Sequence, residues 1–334
     1  MLTRSVLAVL LVLFCSAQLG CATADSQVAG LPSPKSATPT MPVASATPRP
    51  TDTIEAPTHT PEPSDTPSPS PTVIPSLSPT RLPSKTPTPL GPLVAVDPGH
   101  GGQDLGARHF DASGHMDFNE AQVNLDLALR LRDLLVQRGY RVLLTRDGDY
   151  QLHEDGEDVN GDGHHEYVVD ENQARIDVIN ASDAELLLAI HQNAFEGKGA
   201  ENVGGTVTYY CAHRPFSDRS LRFAQLVQGK LVEAFQNLGY DIRDRGVRPD
   251  LELQTTDHPG HYMIVLGPKA ERIARPSQMP GALSEALFIT HQREAELARD
   301  PAALDAIAKA LADAICAYFA EEADTSQTPS PPAQ

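Results

Sequence analysis

The sequence contains no tryptophan, and its 8 Tyr and 9 Phe are spread thinly over 334 residues. It is also short of basic residues: 26 Lys and Arg stand against 44 Asp and Glu, for a net charge of −18. A nucleic-acid surface needs a basic patch, and single-strand readers add an aromatic stacking platform. This composition supplies neither, so no nucleic-acid partner is expected. The same acidity repels anionic membrane surfaces. Cysteine is scarce too. Cys15 and Cys21 fall near the N-terminus, which leaves only Cys211 and Cys316 for the rest of the chain. That is no disulfide scaffold; an oxidising compartment leaves one bridge open to them, and two buried free thiols are the commoner state. The N-terminal apolar run, Val6 to Phe14, is too short to read as a membrane-spanning helix.

What is present is unevenly placed. Residues 31–90 hold 17 of the 29 prolines, interleaved with Ser and Thr. Proline removes amide donors and favours polyproline II, so this stretch cannot pack a core. Fully extended it would reach up to ~190 Å at ~3.1 Å per residue. It reads either as a stalk or as a plain spacer. Ahead of it, Arg4, the apolar run and a tract of small residues form a secretory signal over Met1–Ala24. Two exits from that signal compete. Ala22-Thr23-Ala24 is an ordinary small-x-small cleavage site. Leu19-Gly20-Cys21 resembles the end of a lipoprotein signal with Cys21 lipidated, although Gln18 stands where such signals carry an aliphatic residue.

The expected organisation is therefore a signal peptide (1–24, ending at 20 in the lipoprotein reading), a Pro/Ser/Thr-rich disordered linker (25–90), a folded domain (91–323) and a disordered tail (324–334). The first 90 residues balance five basic against five acidic side chains, and Asp324 adds one more acid, so the folded domain carries −17. The expected location is extracytoplasmic, secreted or membrane-tethered. The only membrane contact expected is through an N-terminal lipid, and the expected state is a monomer.

Within the domain, Leu93–Val96 is a continuous apolar run that stops at Asp97-Pro98-Gly99, as a buried central strand does. Val123, Leu127, Leu131, Leu134 and Leu135 then recur at helical spacing up to Gly139. Further strands are expected at Arg141–Thr145, Leu186–Ile190, Thr206–Tyr210, Met263–Leu266 and Leu283–Phe288. Helices are expected at Ala174–Ala181, Leu221–Leu238 and Pro301–Phe319. Strands alternating with helices predict a single α/β domain with a largely parallel mixed sheet flanked by helices.

In such sheets ligands bind beyond the carboxyl ends of the strands. That rule selects His100 after the first strand, His191 in Ile190-His191-Gln192-Asn193-Ala194, and Glu285 in Leu283-Ser284-Glu285-Ala286-Leu287. Glu120, at the start of the first long helix, joins them. Catalytic zinc commonly takes three protein ligands, often two His and a carboxylate, and keeps a position open for water. The metal lowers the pKa of that water and polarises a carbonyl, while a separate carboxylate moves protons. His100, Glu120, His191 and Glu285 supply such a set, although their long-range spacing is not diagnostic by itself.

Five blocks carry a resemblance: Val-Asp-Pro-Gly-His-Gly-Gly, Glu-x-x-x-Asn-Leu, Thr-Arg-Asp, Ile-His-Gln-Asn-Ala and Ser-Glu-Ala-Leu-Phe-Ile. In this order, over Leu93–Phe319, they resemble the catalytic domain of zinc-dependent N-acetylmuramoyl-L-alanine amidases of type 3. The resemblance implies one zinc ion on His100, Glu120 and His191, with Glu285 as the catalytic acid/base. It implies peptidoglycan as substrate, cut between N-acetylmuramic acid and L-alanine, with Asn193 contacting the substrate. Departures are Ala121 where the family carries Lys, Ser284 where an aliphatic residue is usual, and a longer Arg248–Pro280 that would reshape the cleft. The alternatives are another zinc-dependent amide hydrolase on this scaffold, or an inactive wall-binding or regulatory module.

Other features have plainer readings. Glu120 could be a favourable acid in a first helical turn. Asp97 reads either as support for His100 or as a strand-end residue, and Arg146 with Asp147 as a local ion pair. Ser284 lacks the elbow of a serine hydrolase. His109, His115, His213, His258, His261 and His291 are left unassigned. Glu154–Glu171 carries eight acids and no Lys or Arg. Within it, Asp158-Val159-Asn160-Gly161-Asp162-Gly163 matches the first half of a calcium loop, which makes Asp158, Asn160 and Asp162 candidate Ca²⁺ ligands. Val169 at the twelfth position excludes a standard EF-hand, and a solvated acidic insertion is the competing reading.

Overall fold

The computed structural model describes residues 91–153, 155–252 and 261–327. The signal peptide, Cys21, the linker, Glu154, His258 and the tail beyond residue 327 lie outside the described residues.

In chain order the strands are β1 (Leu93–Pro98), β2 (Arg108–Phe110), β3 (Met116–Asn119), β4 (Arg141–Leu144), β5 (Leu186–Asn193), β6 (Thr206–Tyr210), β7 (Asp244–Pro249) and β8 (Gly281–Phe288). The helices are α1 (Glu120–Gln137), α2 (Tyr167–Asn180), α3 (Ser217–Asn237), α4 (Gln292–Leu297) and α5 (Pro301–Gln327). All six residues of β1 and all eight of β8 are buried. Strands hidden on both faces need partners at both edges and layers above and below. They have them: six strands form one sheet in the order β4-β1-β5-β8-β6-β7, and β2 and β3 form a separate hairpin. Every neighbouring pair in the large sheet is parallel except β6 with β8. The expected α/β domain with a largely parallel mixed sheet is the observed one.

Alternation along the central strands sorts side chains between two cores. Val94, Val96, Leu186, Leu188 and Ile190 pack with α1, α3 and α5 on one face. Ala95, Leu187, Ala189 and Leu283 face the other, covered by Ile176 and Ile179 of α2 together with Val265, Leu266 and Met279. This second cover corrects one expectation. Met263–Leu266 is not a strand but a turn, closed by Met263 C=O accepting from the Leu266 and Gly267 amides (3.0 and 2.8 Å). Its apolar residues are buried by capping the sheet rather than by pairing with it. Side chains hold this irregular segment in place: Gln173 bonds the backbone of Ala274 and Arg275, and Arg214 bonds the carbonyls of Leu266, Gly267 and Ser277.

The structure adds β2, β3, β7 and α4, and it extends α2 seven residues ahead of the expected Ala174. Helix α5 runs on to Gln327, past the expected domain end at Ala323. Among the described residues no helix is long and apolar enough to cross a membrane. Cys211 is buried, Cys316 half-buried, and both are free.

Candidate active site

β1 and β5 end side by side, with Pro98 opposite Ile190 and the Gly99 amide donating to the Ile190 carbonyl (3.0 Å). The chain then turns at His100, the one non-glycine residue among those described with positive φ (63°). Such a conformation costs energy and persists only where its surroundings over-determine it. Two fully buried arginines do so. Arg146 donates to the carbonyls of Pro98 (2.9 Å), Gly99 (2.9 Å), Ala121 (2.8 Å) and Gly148 (3.0 Å). Arg175 donates to the carbonyls of Pro98 (2.8 Å) and His100 (2.7 Å), to Asp97 Oδ1 (2.9 Å) and to Glu171 Oε1 (2.9 Å). The expected Arg146–Asp147 ion pair is therefore absent: Arg146 is spent on carbonyls, and Asp147 accepts from the Tyr150 hydroxyl (2.8 Å). Asp97 supports the His100 turn through Arg175. Burial opposes its ionisation, but Arg175 and Thr145 outweigh that and hold its carboxyl below the usual range.

Glu120 opens α1 because Asn119 caps that helix, its Oδ1 accepting from the Gln122 amide while Gln122 returns a bond to the Asn119 amide. This fixes the Glu120 carboxylate between the two histidines. Its Oε1 lies 3.1 Å from His100 Nε2 and 3.0 Å from His191 Nδ1, and it accepts from the Gln192 amide (3.0 Å). Oε2 accepts from the Ala107 amide (3.0 Å). Opposite Glu120, His100 Nδ1 meets Asp104 Oδ2 at 2.7 Å. Two glycines make the closeness feasible. A Cβ on Gly99 would stand 2.1 Å from His191 Nε2, and one on Gly106, already at φ +63°, 2.6 Å from Glu120 Oε2.

The ligand-type atoms of His100, Glu120 and His191 all lie within 4.8 Å of one another, and they form the one such trio found among the described residues. Two imidazoles and one carboxylate are the donor set of many catalytic zinc sites. The local field suits a cation as well. Burial disfavours a charged His100, yet Glu120 and Asp104 outweigh it and push its pKa up to about 10. Glu120 is held well below its usual range, its burial outweighed by the two histidines. These residues fit a bound divalent metal.

Glu285 sits beside the trio because β8 pairs with β5 in a register that sets it opposite His191. Leu187 and Ala189 of β5 and Leu283 of β8 face the α2 side, and alternation from them puts His191 and Glu285 on that same face. Glu285 is buried, and among the described residues its Oε2 has no hydrogen-bond partner. Burial pushes its pKa well above the ordinary carboxylate value, and the charge of Glu120 adds to the shift. His100, His191 and Glu285 open into a cleft of about 310 Å³ that is also lined by Tyr262, Val265 and Arg272.

Other expected residues fall outside this cluster. Asn193 ends β5 with its Oδ1 on the Ala194 amide (2.8 Å) and is not among the residues lining the cleft. Ser284 is buried in β8, its hydroxyl directed at the Ala189 carbonyl (3.4 Å). In the acidic insertion, Asp158 accepts from the amides of Gly161, Asp162 and Gly163, and Asp162 from the amide groups of Asn160 and His164. Those carboxylates order their own loop. Sequence reasoning missed Asp104, Arg175 and Arg272. Arg175 left a signal, a lone basic residue one position before the core residue Ile176, and Asp104 another, an acid four residues after His100 in a glycine-rich loop.

Residues 94–317 match the family described as N-acetylmuramoyl-L-alanine amidase. The chain is 30% identical over 234 residues to the germination-specific N-acetylmuramoyl-L-alanine amidase of Bacillus subtilis, an alignment covering 70% of this chain and 82% of that protein. It is 29% identical over 232 residues to the N-acetylmuramoyl-L-alanine amidase LytC of the same organism, covering 69% of this chain and 36% of that one. Among solved structures, the CwlD amidase of Clostridioides difficile, solved in complex with the GerS lipoprotein, shares the fold at a TM-score of 0.53 and 24% identity, over 69% of this chain and 100% of that one. The chain belongs to the N-acetylmuramoyl-L-alanine amidase family, enzymes that hydrolyse the amide between N-acetylmuramic acid and L-alanine in peptidoglycan.

Proposed function

We propose that His100, Glu120 and His191 hold one zinc ion and that Glu285 is the acid/base of this hydrolysis. The observation that carries the reading is the convergence of that trio beside a buried carboxylate oxygen that has no partner among the described residues. When bound, zinc supplies Lewis acidity to a carbonyl oxygen and acidifies a water. The protein's own groups do the rest. Asp104 fixes the His100 ring through Nδ1, which leaves Nε2, on the Glu120 side, as the nitrogen that would hold the metal. Arg146 and Arg175 hold the turn on which that ring is mounted. Among the described residues Glu285 Oε2 has no hydrogen bond to break before it takes a proton. Its raised proton affinity suits it to hold that proton and then release it to the departing amine of L-alanine.

The same reading places the work outside the cytoplasm. Residues 1–24 export the chain, and residues 25–90 separate the catalytic domain from its point of release or attachment. Cys21 decides between a tethered and a free enzyme: Cys21→Ser converts a membrane-associated protein into a soluble one if the cysteine is lipidated. The test of the function itself is digestion of purified cell wall. The expected result is new free L-alanine amino termini, abolished by a chelator and restored by zinc. Release of reducing sugar ends, or of peptide amines other than L-alanine, would overturn the reading.

A further inference from the structure

The cleft carries one charge that the hydrolytic roles leave unused. Arg272 is the one Lys or Arg among the described residues that line it, in a chain of net charge −18. Its side chain is 18% exposed, and its one hydrogen bond among the described residues runs from Nη2 to Glu166 Oε2 (3.2 Å). A guanidinium presents five N–H donors in a rigid fork, so this single contact leaves room for a second, bidentate partner. Glu166 is itself 51% exposed. An ion pair with so solvated a partner contributes little, and an incoming carboxylate can replace it.

Among the described residues, Asn172, His261 and Tyr262 are, beyond the two histidines of the trio, the other lining side chains that can meet an anion. Arg272 is the one permanent cation, set among apolar residues such as Val168, Ile264 and Val265. A carboxylate desolvated there without a cation would be costly. The substrate brings such a group, because the peptide that departs with L-alanine carries at least a C-terminal carboxylate.

Resting on the amidase reading above, we propose that Arg272 forms an anion subsite of the cleft that takes a carboxylate of the stem peptide and selects acidic stems over amidated ones. Arg272 stands in residues 261–280, the irregular segment that lines this cleft, so the selectivity belongs to that segment.

The experiment compares two soluble muramoyl-peptides, one with free peptide carboxylates and one with the same groups amidated, as substrates for the native zinc-loaded protein, R272Q, R272K and E166Q. The native protein should prefer the free acid. R272Q should lower kcat/KM on the free acid by about 10- to 100-fold, chiefly through KM, and leave the amidated substrate unchanged. R272K should fall between, keeping the charge and losing the fork. E166Q removes the carboxylate bonded to Arg272 and leaves the weaker pull of Asp162, so it should lower KM for the free acid, and it keeps the proposal testable should R272Q fail to fold. Equal losses on both substrates in R272Q, or no change in KM for the acid in any variant, overturn the subsite while leaving the amidase intact. Failure of the native protein to cut either substrate overturns the amidase reading and the subsite with it.

Discussion

The two sides of the cleft are built by opposite means. On one side, ligands stand at the exits of β1 and β5, where a ladder of backbone bonds and two arginines, each 1% exposed, fix every carbonyl from Pro98 to His100. On the other, residues 261–280 form no extended element. They are hung from α2 and Arg214 by side-chain bonds to the backbone. Metal chemistry needs donor atoms held to fractions of an ångström, which sheet geometry and buried charge networks provide. Recognition of a substrate tolerates, and is tuned by, a segment free to change in length and composition. Chemistry should therefore fail when the first side is disturbed, and preference should shift when the second is.

The largest effect should come from a ligand. His191→Ala leaves one imidazole and one carboxylate, and we expect loss of both bound zinc and activity, read by metal analysis and wall digestion together. Next is Arg175→Met, which strands Asp97 and Glu171 in the interior without their cation. We expect a stability loss of about 3–5 kcal/mol by denaturant unfolding. Survival of native stability would show that the buried network is not what holds the His100 turn. Asp104→Asn should be milder. It removes the carboxylate on His100 Nδ1, and metal affinity measured by chelator competition should drop by about 10- to 100-fold. On the opposite side, Tyr262→Ala should raise KM by about fivefold, with zinc content and melting temperature near native. Loss of zinc in that variant would erase the distinction between the two sides.

The same division governs what could be read from the sequence. Continuous apolar runs and strand-end motifs mark β1, β5 and β8 and the four residues at their exits or beside them, because a buried parallel strand needs an uninterrupted apolar pattern. β7, Asp244-Arg-Gly-Val-Arg-Pro249, has almost no such pattern: it lies at the sheet edge, and none of its residues is fully buried. Met263–Leu266 shows the converse. Four apolar residues in a row satisfy the strand pattern, yet burial came from capping a sheet face, which periodicity cannot distinguish from pairing. The α2 start was hidden because Asp170 and Glu171 occupy buried positions, paid for by the backbone amides of Val159 and Leu152 and by Arg175. Long-range partners such as these have no local signature.

The most direct test of the account separates the metal's task from that of the carboxylate next to it. Glu285→Gln keeps the side chain's shape and leaves His100, Glu120 and His191 intact, but it removes the group that accepts and releases a proton. Zinc stoichiometry and turnover should be measured on the same folded preparation. We predict native zinc content with turnover reduced by about 10²- to 10⁴-fold. Near-native turnover, or loss of zinc from a folded protein, would contradict the assignment of Glu285 as the acid/base.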